Sequence, residues 1–229
     1  MKKIVFFTLI LFGMTALKAQ EIFFPTEEGK VLVYKRYDKK GKVAETMKYT
    51  IKNILVEGDN MEITYLIESM DSKKEVGLSE EITLIKKGNV MYFDMGNFIN
   101  KAVFQEGGKE SSDSQIEIKG NSMEIPVDPK PGTSLPDANV EMTMKMGFIN
   151  LKLSTNIINR RVEAIEDIAV PAGSFQCFKL TGDIIATVMG KKANSSTAEW
   201  YAKGVGVVKS ETYDKNGKLD SYIQLEEVK

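Results

Sequence analysis

The sequence predicts an all-β protein: a single domain of many antiparallel strands folded into a sandwich or a partly open barrel. Two observations predict it. Apolar and polar residues alternate with period two in one segment after another, and the 3.6-residue spacing of an amphipathic helix is scarce. Turn signals built from Gly, Asn and Asp separate those segments. The chain also carries a single cysteine, so no internal disulfide can brace it and the core alone must hold the fold. About 210 residues are enough for that.

The first 19 residues are read separately. Met1-Lys2-Lys3 is a short basic start, Ile4 to Met14 is uncharged and apolar, and Thr15-Ala16-Leu17-Lys18-Ala19-Gln20 follows. A basic start, an apolar stretch of about 7–15 residues and a small residue before the cut define a secretory signal peptide. Cleavage is expected after Ala19, although Leu17 departs from the small residue usual two positions earlier. The apolar run is shorter than the roughly 20 residues that span a bilayer. Residues 1–19 are therefore read as signal peptide and 20–229 as one all-β domain with no integral membrane segment. Cys177 is far from the cut, so no lipid anchor is expected. The protein is read as exported and soluble, in the periplasm or outside the cell, and not a lipoprotein. The chain has 31 basic and 32 acidic residues, and removing Lys2, Lys3 and Lys18 leaves 28 against 32. That mild acidity argues against a nucleic-acid partner.

Along the mature chain, Val31–Tyr37 reads as a strand, Asp38–Gly41 as a turn and Val43–Leu55 as the return strand. Glu57–Asn60 turns into Met61–Ile67. Ile82–Ile85 and Val90–Phe93 flank Lys87-Gly88-Asn89, a hairpin signal. Gln105–Gln115 is polar and glycine-containing, and reads as a loop. Short strands are expected at Gln115–Lys119 and Ser122–Ile125, around Gly120-Asn121. Pro126–Asn139 holds four prolines without alternation and is the likeliest internal boundary by composition. Val140–Phe148, Ile149–Ala164, Ala172–Ala186, Thr197–Lys203, Val205–Tyr213 and Leu219–Val228 complete roughly a dozen strands. Tyr37-Asp-Lys-Lys-Gly-Lys-Val43 is echoed by Tyr213-Asp-Lys-Asn-Gly-Lys-Leu219. In each, Asp can bond the local backbone and Gly can take a positive φ, so the pair reads as two uses of one turn rather than a repeat.

Much chemistry is excluded. There is no histidine, which removes Ser–His and Cys–His nucleophile pairs and histidine zinc sites. Cys177 sits in a strand pattern with no base and reads as a small buried hydrophobe. Gly204-Val-Gly206 lacks the third glycine and following helix of a dinucleotide fingerprint, and reads as a tight turn or bulge. Asp214, Asn216 and Asp220 resemble part of a calcium loop but lack its distant Glu in register, which favours a turn. On a strand, Trp200 and Tyr201 face opposite ways. Met142, Met144 and Met146 share one strand face; at about 6.5–7 Å between same-face neighbours their sulfurs would have to bend inward to share copper. With Phe148 they are expected to face an apolar interior. Methionine walls also suit adaptable apolar pockets, so Met142, Met144, Met146 and Phe148 are the candidate cavity wall, with Met61, Met91, Met95 and Met123 as further candidates.

Three segments carry a family resemblance: Val170-Pro-Ala-Gly-Ser-Phe-Gln-Cys-Phe-Lys-Leu180, Glu199-Trp-Tyr-Ala-Lys-Gly-Val-Gly-Val-Val-Lys209 and Tyr213–Leu219, with Leu135-Pro-Asp-Ala138 before them. They resemble the TapB family of bacterial exported proteins, a DUF3108-like group. The resemblance implies one domain of antiparallel strands in an open barrel or roll, similar in outline to the LolA-like lipoprotein carriers of the bacterial envelope. It implies no catalytic residues and no cofactor. The expected function is non-enzymatic: binding an apolar molecule, such as a lipid or lipidated chain, or an envelope protein partner. The alternative is a hydrolase acting on envelope glycans through two carboxylates.

Overall fold

The computed structural model describes residues 22–71, 76–98, 114–146 and 149–229. The expected signal segment 1–19, nearly all of the loop expected at Gln105–Gln115, and Phe148 lie outside them. The strands are β1 (Val31–Asp38), β2 (Val43–Glu57), β3 (Asn60–Asp71), β4 (Val76–Lys87), β5 (Val90–Asp94), β6 (Ser114–Gly120), β7 (Ser122–Pro126), β8 (Ala138–Met146), β9 (Ile149–Val170), β10 (Gly173–Val188), β11 (Lys191–Ala202), β12 (Gly206–Asp214) and β13 (Leu219–Val228); a 3-10 turn, Met95–Phe98, follows β5. All thirteen join one antiparallel sheet that curls into a nearly closed barrel, in the order β6-β8-β9-β10-β11-β12-β13-β1-β2-β3-β4-β5-β7.

The local chemistry accounts for most of the hairpins. Asp38 Oδ1 accepts the backbone N–H of Lys40 at 2.8 Å and of Lys42 at 2.9 Å, and Gly41 takes φ +76°. Asp214 Oδ1 accepts Asn216 N–H at 2.8 Å and Lys218 N–H at 3.0 Å, with Gly217 at φ +74°. The echoed sequences thus build the same turn twice, in the adjacent hairpins β1–β2 and β12–β13. The calcium-like residues Asp214 and Asn216 are part of that turn.

The expected short strands at Gly120-Asn121 exist, but they do not pair with each other. β6 pairs with β8, and β7 pairs with β5 at the opposite edge of the sheet. At Asn121 the chain steps from one edge to the other, so a single extended run closes the barrel. Asn121 clasps the join: its N–H reaches Asn139 O at 3.1 Å, its amide donates to Asp137 O at 3.0 Å, and its Oδ1 accepts Asn139 N–H at 2.7 Å. A Cβ on Gly120 would meet Asn139 O at 2.3 Å.

The proline-rich segment 127–137 lies across this sheet rather than between two bodies. Gly132 N–H donates to Val162 O, Val162 N–H to Thr133 O and Leu135 N–H to Arg160 O. Val127 and Leu135 are buried in the main core, which packs the barrel interior with Phe23, Ile51, Ile63, Met91, Ile125, Val162 and their neighbours around the cavities described below. Each such side chain contributes about 1.5–3 kcal/mol by burial. A smaller cluster holds Cys177, Ala198, Trp200 and Val208. Trp200 and Tyr201 therefore face opposite ways, as strand alternation requires, and both are buried. Trp200 Nε1 donates to Glu166, with the ammonium groups of Lys179 and Lys209 near its ring.

Candidate functional site

The barrel is not filled solid. One cavity of about 270 Å³ is walled by Phe24, Leu32, Tyr34, Tyr65, Leu84 and Phe93 among others, and is chiefly aromatic and aliphatic. A second, of about 240 Å³, is lined by Thr155, Thr181, Thr197, Thr212 and Arg160 along with apolar residues. Met123, Glu199 and Ser210 stand in both walls, so the two are neighbouring lobes of one interior.

Glu199 lies on β11 in phase with Tyr201, whose hydroxyl donates to Glu199 Oε2 at 3.1 Å. Burial raises the Glu199 carboxyl pKa; the Tyr201 hydrogen bond and the Arg160 charge offset this only in part. Burial also pushes the Tyr34 and Tyr201 phenols well above their ordinary range and Tyr49 up to about 12. The interior phenols are therefore neutral donors. The Tyr65 hydroxyl, on a residue 2 % exposed, lines the apolar lobe without a hydrogen-bond partner among the described residues.

Arg160, 6 % exposed, reaches the polar lobe from β9. Its Nη1 donates to Pro136 O at 2.6 Å and its Nη2 to Glu124 O at 3.0 Å, tying β9 to β7 and to the approach to β8. A bulge puts it there. Asn159 takes φ +53°, and the β9–β10 register shifts between Thr181 and Asp183. The inward face changes from Thr155 and Ile157 to Arg160 and Val162. Gly182 makes room: a Cβ there would stand 3.3 Å from Arg160 Cγ.

The segment Ile22-Phe23-Phe24, just after the expected cleavage site, is buried and plugs the barrel. Phe24 packs edge-on against Tyr65, Phe93 and Tyr201, and Phe23 against Phe178 and Tyr201. Gly204 N–H donates to Ile22 O at 2.7 Å. Gly206 has φ +96°, and a Cβ there would come within 3.2 Å of the Phe24 ring. The Gly-Val-Gly motif is thus a turn that seats the plug.

The candidate wall residues are distributed as follows. Met142 and Met144 are buried on the same face of β8 as Ala138 and Val140, and neither lines either lobe. The Met146 side chain and Phe148 lie outside what is described. Of the further methionines, Met123 stands between the lobes, Met95 lines the polar one, Met91 is in the core and Met61 packs against it. Sequence reasoning missed Arg160, Glu199, Tyr65 and the Phe23-Phe24 plug. Two signals were present: an acid in phase with Tyr201, and an apolar triplet between Glu21 and Pro25. Cys177 is buried, and desolvation pushes its thiol up to about 12, which leaves it unreactive. Among the described residues, no three His, Cys, Asp or Glu side chains gather as a metal would require, and no helix is long and apolar enough to cross a membrane.

Solved structures share this architecture. A Bacteroides fragilis protein assigned as exported, with a YmcC-like fold, superposes with TM-score 0.73 at 21% identity, covering 91% of this chain and 99% of that one. A Parabacteroides distasonis protein assigned as a lipoprotein gives TM-score 0.73 at 25% identity over the same shares. Relatives thus occur under both descriptions, and the expected absence of a lipid anchor is not carried by them. A search of curated proteins found no match. The DUF3108-like family model matches residues 27–225, nearly the whole of the barrel, and the chain belongs to the DUF3108-like family.

Proposed function

We propose that this barrel is a non-enzymatic, soluble binding protein of the bacterial envelope that holds one small apolar molecule in its interior. The single observation that carries this reading is the lobe walled by Phe24, Leu32, Tyr34, Leu84 and Phe93 around the unpartnered hydroxyl of Tyr65. Buried polar groups are ordinarily hydrogen-bonded, and an apolar pocket with a few convergent polar groups is the usual form of a small-molecule site. Each lobe lies just below the common range of about 300–1,000 Å³. That size favours a single-chain amphiphile over a two-chain phospholipid or a lipidated protein. A hydrolase using two carboxylates is less well supported. The other acid at the apolar lobe is Asp94, whose Oδ1 already accepts the Gly96 N–H at 2.8 Å.

Native mass spectrometry of delipidated protein tests the reading. Single-chain fatty acids and fatty alcohols are expected to bind one per chain, and two-chain phospholipids not at all. If no amphiphile of any headgroup is retained, the reading is overturned.

A further inference from the structure

We infer that the bound molecule carries one negative charge, a carboxylate, and that Arg160 is the residue that recognises it. The inference rests on the ligand-binding reading above and adds the chemistry of the headgroup.

Arg160 is buried and opens onto the polar lobe, yet among the described residues its side-chain partners are the two backbone carbonyls of Pro136 and Glu124. No carboxylate reaches ion-pair distance of it there; Glu199, Asp137 and Glu124 favour its charge from further off, and burial outweighs them. A buried charge is costly unless it is paired, and carbonyl dipoles compensate only part of a full positive charge. The acid that shares the lobe, Glu199, is held by the Tyr201 hydroxyl, and burial disfavours its ionised form.

The donor set fits an anion as well. A guanidinium has five N–H donors, and two carbonyls leave some of them free. Thr155, Thr181, Thr212 and Ser210 add hydroxyls around the same space. Arginine's planar fork matches a carboxylate geometrically. One cation balances one anionic charge. A phosphate monoester, carrying about −1.5 to −2 at neutral pH, would leave excess negative charge beside Glu199. With the carboxylate in the polar lobe, the hydrocarbon chain has the adjoining apolar lobe to fill, past Met123.

The test keeps chain length fixed and varies the headgroup on the unmutated protein, by competition in native mass spectrometry and by calorimetry. Dodecanoate is expected to bind at least about tenfold more tightly than dodecanol, the usual worth of a charge-assisted hydrogen bond. Dodecylamine and monododecyl phosphate should both bind more weakly than dodecanoate. Arg160→Gln should abolish the preference for dodecanoate over dodecanol, and Arg160→Lys should keep part of it. Equal affinity for dodecanol and dodecanoate, or tighter binding of the amine or the phosphate, would overturn the carboxylate assignment and leave the binding function standing. Failure of all four to bind would overturn the function itself, and this inference with it. Because the headgroup series needs no mutation, the result stands even if the Arg160 variants do not fold.

Discussion

At the scale of single residues, Glu226 shows how much one carboxylate can hold together. On β13, it accepts Lys35 Nζ at 2.9 Å, Tyr37 Oη at 2.7 Å and Gln224 Nε2 at 3.0 Å, and Tyr37 stacks on Tyr222 with ring centroids 4.7 Å apart. Burial draws the Glu226 pKa upward, but the three hydrogen bonds and the Lys35 charge outweigh it and leave the group below its ordinary value. A carboxyl depressed in the folded state adds stability that is fully present above its unfolded pKa of about 4.3 and fades as pH falls through the folded value. Glu226→Gln is expected to destabilise the protein by about 1 kcal/mol at neutral pH; the half-exposed Lys35 limits the effect. In urea titrations at a series of pH values, the difference from the unmutated protein should shrink below pH ~4; a difference constant to pH ~2 would refute the assignment. Such contacts are not legible in a sequence, because Glu226 meets Lys35 only after 191 residues of chain. The two Asp-x-x-Gly turns were legible, because their hydrogen bonds stay within five residues.

At the scale of elements, legibility followed what fixes each strand. Strands with one face in the core announced themselves by alternation: β1, β3, β5, β7 and β13. The outer third of β11, Lys191 to Asn194, is exposed and lacks apolar alternation; it is a strand because β10 pairs with it along its whole length, and no local propensity marks it. The inward turn of Arg160 was hidden for a different reason. One extra residue at Asn159 reverses the phase through Arg160 and Val162, until a second register shift between Lys179 and Leu180 resets it, so period-two reading assigns the wrong face to that stretch. The pairing of β6 and β7 with strands other than each other is the remaining surprise, and Gly120 is where it can be tested. A Cβ there collides with the backbone of Asn139 rather than with a side chain able to move. Gly120→Ala is expected to cost about 2 kcal/mol or more, read from the urea midpoint, whereas Gly132→Ala, with open space around it, should cost about 1–2 kcal/mol from its positive φ alone. Equal losses at the two positions would mean that the join relaxes freely.

At the scale of the whole molecule, all thirteen strands form one sheet, and its first strand lies beside its last: β1 pairs with β13 from Leu32↔Val228 to Asp38↔Ser221. The all-β class was legible from alternation and turns, which left sandwich and barrel open; the open-barrel outline came from the family resemblance. The plug by Ile22-Phe23-Phe24 and the pairing of the first strand with the last were not legible, because both are long-range contacts. Deleting residues 219–229 removes one of the two neighbours of β1, and with it Leu225 and Ile223. The truncated chain is expected to lose its cooperative urea transition by circular dichroism; a transition of full steepness would show that the remaining twelve strands fold on their own. The same adjacency sets a clock. At about 5–20 residues per second, ribosomes take roughly 10–45 s to complete a chain of this size. Until the last few residues emerge, β1 lacks its partner and the sheet cannot settle, because such distant pairings form late and slowly. A chain with this topology therefore stays threadable through its own synthesis, its folding delayed by where its final strand belongs.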